Sequence, residues 1–96
     1  MTDSTRPLEG RVALITGAAR RSGRATAFAL AEDGATIVLN VRNSRDEAEA
    51  NKREIESRGG KAMVAVADIT QEDAVRGMID TIVGELGGLH ILVNNA

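Results

Sequence analysis

Short, nearly continuous apolar runs alternate along this chain with longer stretches of mixed polarity. Four of the runs read as strands: Val12–Ile15, Thr36–Val41, Ala62–Ala67 and Leu89–Val93. A run apolar throughout, rather than at every second position, belongs to a strand covered on both faces, as in a parallel sheet. The stretches between them read as helices. The first covers Gly23–Asp33 and stops at Gly34, a residue suited to a helix C-terminal cap. The second starts after Ser44, where Glu47 completes a capping box, and ends before Gly59-Gly60. The third starts after Thr70, with Asp73 at the matching position, and ends near Gly87-Gly88. Its Val75, Met78, Ile79, Ile82, Val83 and Leu86 recur at helical spacing and form an apolar stripe. The second helix is far more polar and is expected to lie largely in solvent. The order βαβαβαβ, with right-handed crossovers, makes an α/β parallel sheet. Residues 1–9 are polar, hold the single proline and read as a disordered lead-in, which leaves 10–96 as one domain.

Composition narrows the classes further. A chain of 96 residues makes one small domain and buries a modest share of its surface. A net charge of −2 argues against a general nucleic-acid binder, which needs a basic face. Without cysteine there is neither disulfide nor thiolate chemistry, and a single histidine makes a structural zinc site untenable. No apolar run approaches the roughly 18 residues of a membrane helix, and none follows a basic start as in a signal peptide. The expectation is a cytoplasmic protein without membrane or nucleic-acid partners.

In an open parallel sheet, ligands bind at the carboxyl ends of the strands. After the first strand comes Thr16-Gly17-Ala18-Ala19-Arg20-Arg21-Ser22-Gly23. Gly17 can turn sharply. Gly23 opens the next helix without a Cβ to block a phosphate, and the free N–H groups and dipole of that helix start favour an anion. Many α/β proteins also need such glycines simply to turn. The second strand ends Asn40-Val41-Arg42-Asn43. A fold that binds NAD places an acid here for the ribose 2′-hydroxyl; this chain has Val41, followed by Arg42. Arg20, Arg21, Arg42 and Arg45 crowd two neighbouring loops, and guanidinium forks suit a phosphate dianion, although a lone arginine is commonly just a solvated charge. The third strand ends Asp68-Ile69-Thr70, where Asp68 either meets an adenine amino group or caps the next helix. The fourth ends Asn94-Asn95-Ala96, whose amides either bridge backbone groups across the strand ends or touch ligand. His90 lies away from this edge, and a packing or surface role is expected for it.

These residues together resemble the short-chain dehydrogenase/reductase family, over Gly10 to Ala96. Thr16-Gly17 through Gly23 is similar to the family's TGxxxGxG phosphate loop, Asp68-Ile69 to its adenine-site pair, and Asn94-Asn95-Ala96 to the start of its NNAG motif. One position departs: Arg21 stands where the family has its middle glycine. Pteridine reductases and some 3-oxoacyl-carrier-protein-reductase-like members carry a basic residue there and use NADPH. Arg42 stands where NADP-preferring members hold the 2′-phosphate. The resemblance implies a Rossmann-type doubly wound sheet in the order 3-2-1-4, incomplete relative to the family fold. Its cofactor-binding residues are Gly17, Arg20, Arg21, Ser22, Gly23, Val41, Arg42, Asn43, Asp68, Ile69, Asn94, Asn95 and Ala96, with NADP(H) expected over NAD.

The family's chemistry uses a serine, a Tyr-x-x-x-Lys pair and a further asparagine, all downstream of NNAG. This chain has no tyrosine, so no catalytic residue is assigned within it. The expectation is the N-terminal part of a longer reductase, inactive alone. The whole enzyme would be a homo-oligomer transferring the 4-pro-S hydride between NADPH and a carbonyl or alcohol. A non-catalytic nucleotide-binding or sensor module of the same fold is the alternative. A methyltransferase would want an acid at Val41, and a receiver-type domain would want acids where Gly17-Ala18-Ala19-Arg20 stand.

Overall fold

The computed structural model describes residues 6–95. Seven elements alternate: β1 (Val12–Thr16), α1 (Arg21–Glu32), β2 (Thr36–Val41), α2 (Arg45–Ser57), β3 (Lys61–Val66), α3 (Glu72–Leu86) and β4 (Ile91–Val93). The four strands form one parallel sheet in the order β3-β2-β1-β4, the order the resemblance implied.

The apolar runs of β1 and β2 are explained by cover on both faces. Successive strand residues point to opposite sides. Ala13, Ile15, Ile37 and Leu39 pack with Ala27 and Ala31 of α1 and Ala48 and Ile55 of α2. Val12, Leu14 and Val38 pack with Met78 and Ile82 of α3. The buried face of α1 is Gly23, Ala27 and Ala31, small residues that let the helix lie close on the sheet. From the expected stripe of α3, Met78 and Ile82 are buried, whereas Val83 remains 46% exposed.

Several boundaries differ from the sequence reading, each for a local reason. β4 begins at Ile91 rather than Leu89, because His90 turns its side chain back onto the sheet. The backbone N–H of His90 donates to Val12 O at 2.9 Å, and Val12 N–H donates to His90 Nδ1 at 2.9 Å. α1 begins at Arg21, ahead of Gly23. Neither expected cap forms a side-chain bond at its helix start. Ser44 makes none, and Glu47 turns instead to Arg20. The residue flanking α3 is Gln71, while the Thr70 hydroxyl donates to Asp68. Arg6–Glu9, expected within a disordered lead-in, form a turn on the end of α1, with Leu8 N–H donating to Asp33 O at 2.8 Å. The rest of that lead-in, residues 1–5, lies outside the described residues. Among the described residues, no helix is long and apolar enough to cross a membrane.

Candidate functional site

The carboxyl ends of β1 and β2 bring two loops together around an open cleft of about 270 Å³. Its lining is Gly17, Ala19 and Arg20 from the β1–α1 loop, and Val41, Arg42, Asn43 and Ser44 from the end of β2. Gly17 turns the chain with φ +62°. A Cβ at Gly23 would run into Gly17 O and come within 2.7 Å of Asn95 Nδ2. The loop itself therefore requires this glycine, independently of any phosphate. Arg21, at the start of α1, has φ +54° and is exposed. L-residues are disfavoured in that left-handed region, which glycine enters without penalty.

The arginines are differently placed. Arg20 grips Glu47 of α2 with two bonds, Nε to Oε2 and Nη2 to Oε1, each 2.8 Å. The hydrogen bond with Glu47, followed by its charge, raises the Arg20 guanidinium above its ordinary pKa. Arg42 Nη2 lies 3.4 Å from Asp68 Oδ2, across the ends of β2 and β3. Arg45 faces away along α2, with Nε 3.8 Å from Glu49. Arg21 forms no ion pair among the described residues.

Asp68 closes the turn leading to α3. Its Oδ1 accepts from Thr70 N–H at 2.9 Å and from Thr70 Oγ1 at 2.6 Å. The Thr70 hydroxyl and then the Thr70 N–H hold its carboxyl below the ordinary pKa; burial opposes them, and the Arg42 charge adds the least. Ile69 packs with the apolar cluster beneath α3.

The two asparagines bridge the strand ends. Asn95 N–H donates to Thr16 Oγ1 at 2.8 Å, its Nδ2 donates to Gly17 O at 3.4 Å, and its Oδ1 accepts from Ser22 Oγ at 2.9 Å. The Thr16 hydroxyl also lies 3.3 Å from Asn94 Oδ1. Ser22, Gly23 and Asn95 thus meet at the start of α1. Ala96 lies outside the described residues.

Three residues that hold this arrangement were not singled out from the sequence. Glu47 was read as a helix cap and serves as the partner of Arg20. Asn40, 2% exposed, donates from Nδ2 to Ala65 O at 3.1 Å and to Ala67 O at 3.3 Å, fixing β2 to β3 beside the cleft. Asn51, 6% exposed, reaches from α2 to the β1–α1 loop. A signal for Asn51 was present: Ala48, Asn51 and Ile55 share one face of α2 and are its buried residues.

The family model for short chain dehydrogenases matches residues 11–96. The chain belongs to the short-chain dehydrogenase/reductase family. It is 44% identical over 89 residues to an oxidoreductase of Methylorubrum extorquens, covering 93% of this chain and 36% of that protein. It is 40% identical over 84 residues to a 3-oxoacyl-[acyl-carrier-protein] reductase of Staphylococcus epidermidis, covering 88% of this chain and 34% of that one. Among solved structures, a dehydrogenase/reductase from Sinorhizobium meliloti superposes with a TM-score of 0.90 at 42% identity, over 93% of this chain and 35% of that one. A metagenomic short-chain oxidoreductase in complex with NADP has TM-score 0.87 and 37% identity, over 93% of this chain and 40% of that one. An NAD+-bound xylitol dehydrogenase has TM-score 0.89 and 38% identity, over 95% and 35% of the respective chains. The chain spans about a third of the length of the curated relatives it matches.

Proposed function

We propose that residues 10–96 form the NADP(H)-binding part of a short-chain oxidoreductase acting on a carbonyl or alcohol. The observation that carries this reading is the cleft lining, which holds Arg20 and Arg42 and no carboxylate. Val41, only 4% exposed, stands where an NAD site would present an acid. The donor set also fits a dinucleotide: N–H groups at the start of α1 for its pyrophosphate, and guanidinium groups for a 2′-phosphate. When bound, the dinucleotide supplies the hydride.

In this reading the chain's own residues bind and orient. Gly17, Ser22 and Gly23 shape the phosphate loop, with Asn94, Asn95 and Ala96 bracing it from β4. Arg42, Arg20 and Arg21 neutralise the 2′-phosphate, while Asn43 and Val41 line the ribose side. Asp68 and Ile69 border the adenine. Arg42 is drawn toward the phosphate from its 3.4 Å approach to Asp68, a contact exposed enough to exchange at little cost. The proton donor belongs to the Tyr-x-x-x-Lys pair that the family places downstream. We place the whole enzyme in the cytoplasm as a homo-oligomer.

The test is Arg42→Ala, with binding of NADPH and NADH measured side by side. Loss of one charge-assisted phosphate contact costs about 1.5–3 kcal/mol. NADPH binding is expected to weaken by about tenfold or more, with NADH nearly unchanged. Equal losses for both cofactors would remove Arg42 from the 2′-phosphate site.

A further inference from the structure

α2 carries eight charged residues among its thirteen, yet its middle is anchored by a buried amide. A buried primary amide requires partners for both its donor and acceptor ends. Asn51 Nδ2 donates to Ala19 O at 2.9 Å and, more loosely, to Ala18 O at 3.4 Å. Its Oδ1 accepts from Arg24 Nε at 3.0 Å. Arg24 is itself laid over the Phe28 ring, 4.3 Å from the centroid, so the acceptor end is held by a braced partner on α1. On the other side, Ala18 N–H donates to Asn40 O at 3.1 Å. The β1–α1 loop is therefore pinned from α2, from α1 and from β2.

The pins act on peptide orientation. No cis peptide occurs among the described residues. In a planar trans peptide, the carbonyl and the following N–H point in opposite directions. Drawing the carbonyls of Ala18 and Ala19 toward Asn51 turns the N–H groups of Ala19 and Arg20 away from it. Ala19 and Arg20 are residues through which this loop lines the cleft.

We propose that Asn51 is a positioning residue for nucleotide binding, which sets the two peptide planes of the phosphate loop without touching the ligand. The proposal rests on the dinucleotide reading above and adds a distinct signature. What Asn51 orients is the loop's peptide N–H groups, whose proposed partner is the pyrophosphate that NADP and NAD share, so loss of Asn51 weakens both cofactors, whereas loss of the Arg42 side chain affects NADPH selectively.

Two variants test it in the purified protein. Asn51→Leu keeps the approximate size and removes every hydrogen bond. Asn51→Asp keeps an acceptor for Arg24 Nε but sets carboxylate oxygens against two carbonyls. Both are expected to weaken NADPH and NADH by about tenfold or more, with the NADPH-to-NADH affinity ratio unchanged and the far-ultraviolet circular dichroism preserved. Affinities within twofold of the parent chain in both folded variants would overturn the proposal, as would a loss confined to NADPH. Failure of both variants to fold would assign Asn51 to the core and overturn it as well. A parent chain that binds neither cofactor would instead overturn the dinucleotide reading itself.

Discussion

Arg21 shows what one residue costs and what it brings. Among the described residues it is the single non-glycine with positive φ, at +54°. An L-residue in that region is penalised by about 1–2 kcal/mol. Glycine escapes that strain but loses about 0.5–1 kcal/mol through its freer unfolded chain. Arg21→Gly is therefore expected to stabilise the fold by up to about 1 kcal/mol, which for a domain of this size raises Tm by up to about 4–8 °C. A fall in Tm, followed by circular dichroism, would show that the arginine side chain contributes more than its backbone strain removes. The sequence displayed this residue as a departure from a glycine position, but the strain became visible only in the backbone angles. Glu47 and Asp68 make the complementary point. Each was read by its local helix-start spacing, and each finds an arginine brought near by the fold. Local spacing carries no information about such partners, so the pairing of Arg20 with Glu47 was out of reach.

At the scale of elements, the polarity pattern located the four strands and three helices of the described residues. Cover on both faces accounts for the apolar runs of β1 and β2, whereas the edge strands β3 and β4 stay partly exposed, Leu92 to 63%. The pattern failed at ends, where side chains from other elements decide. β4 is the clearest case. Its expected first residues, Leu89 and His90, lie outside the strand, and His90 supplies the partner that Val12 N–H would otherwise lack. Val12 is 4% exposed, so removal of that acceptor is felt at the start of β1. His90→Ala is expected to destabilise the fold by about 1 kcal/mol, read as a lower urea midpoint with an unchanged slope. An unchanged midpoint would mean that water replaces the imidazole there. α2 lies largely in solvent, as its polarity led one to expect, and turns a single narrow face inward at Ala48, Asn51 and Ile55. The spacing of Ala48 and Ile55 shows the inward face in the sequence. Asn51 shares that face, but its carbonyl partners in the β1–α1 loop become visible only in the fold.

At the scale of the molecule, the sheet order puts β1 between β2 and β4, so three strand ends converge on the start of α1. Motifs far apart in the chain meet there: Gly17 with Ser22, Gly23 and Asn95, and Arg42 with Asp68. The family and strand order were legible because those motifs occur in order at strand ends. Cofactor preference is a finer property, set by which charges face the ribose side of one cleft. There Arg20 and Arg42 line the wall, and their carboxylate partners Glu47 and Asp68 are not part of the lining. The most direct measurement compares calorimetric titrations of 2′,5′-ADP and 5′-AMP into the purified protein, two ligands that differ by the phosphate at issue. 2′,5′-ADP is expected to bind about tenfold or more tightly than 5′-AMP, the worth of at least one charge-assisted contact. Equal affinities, or tighter binding of 5′-AMP, would contradict it.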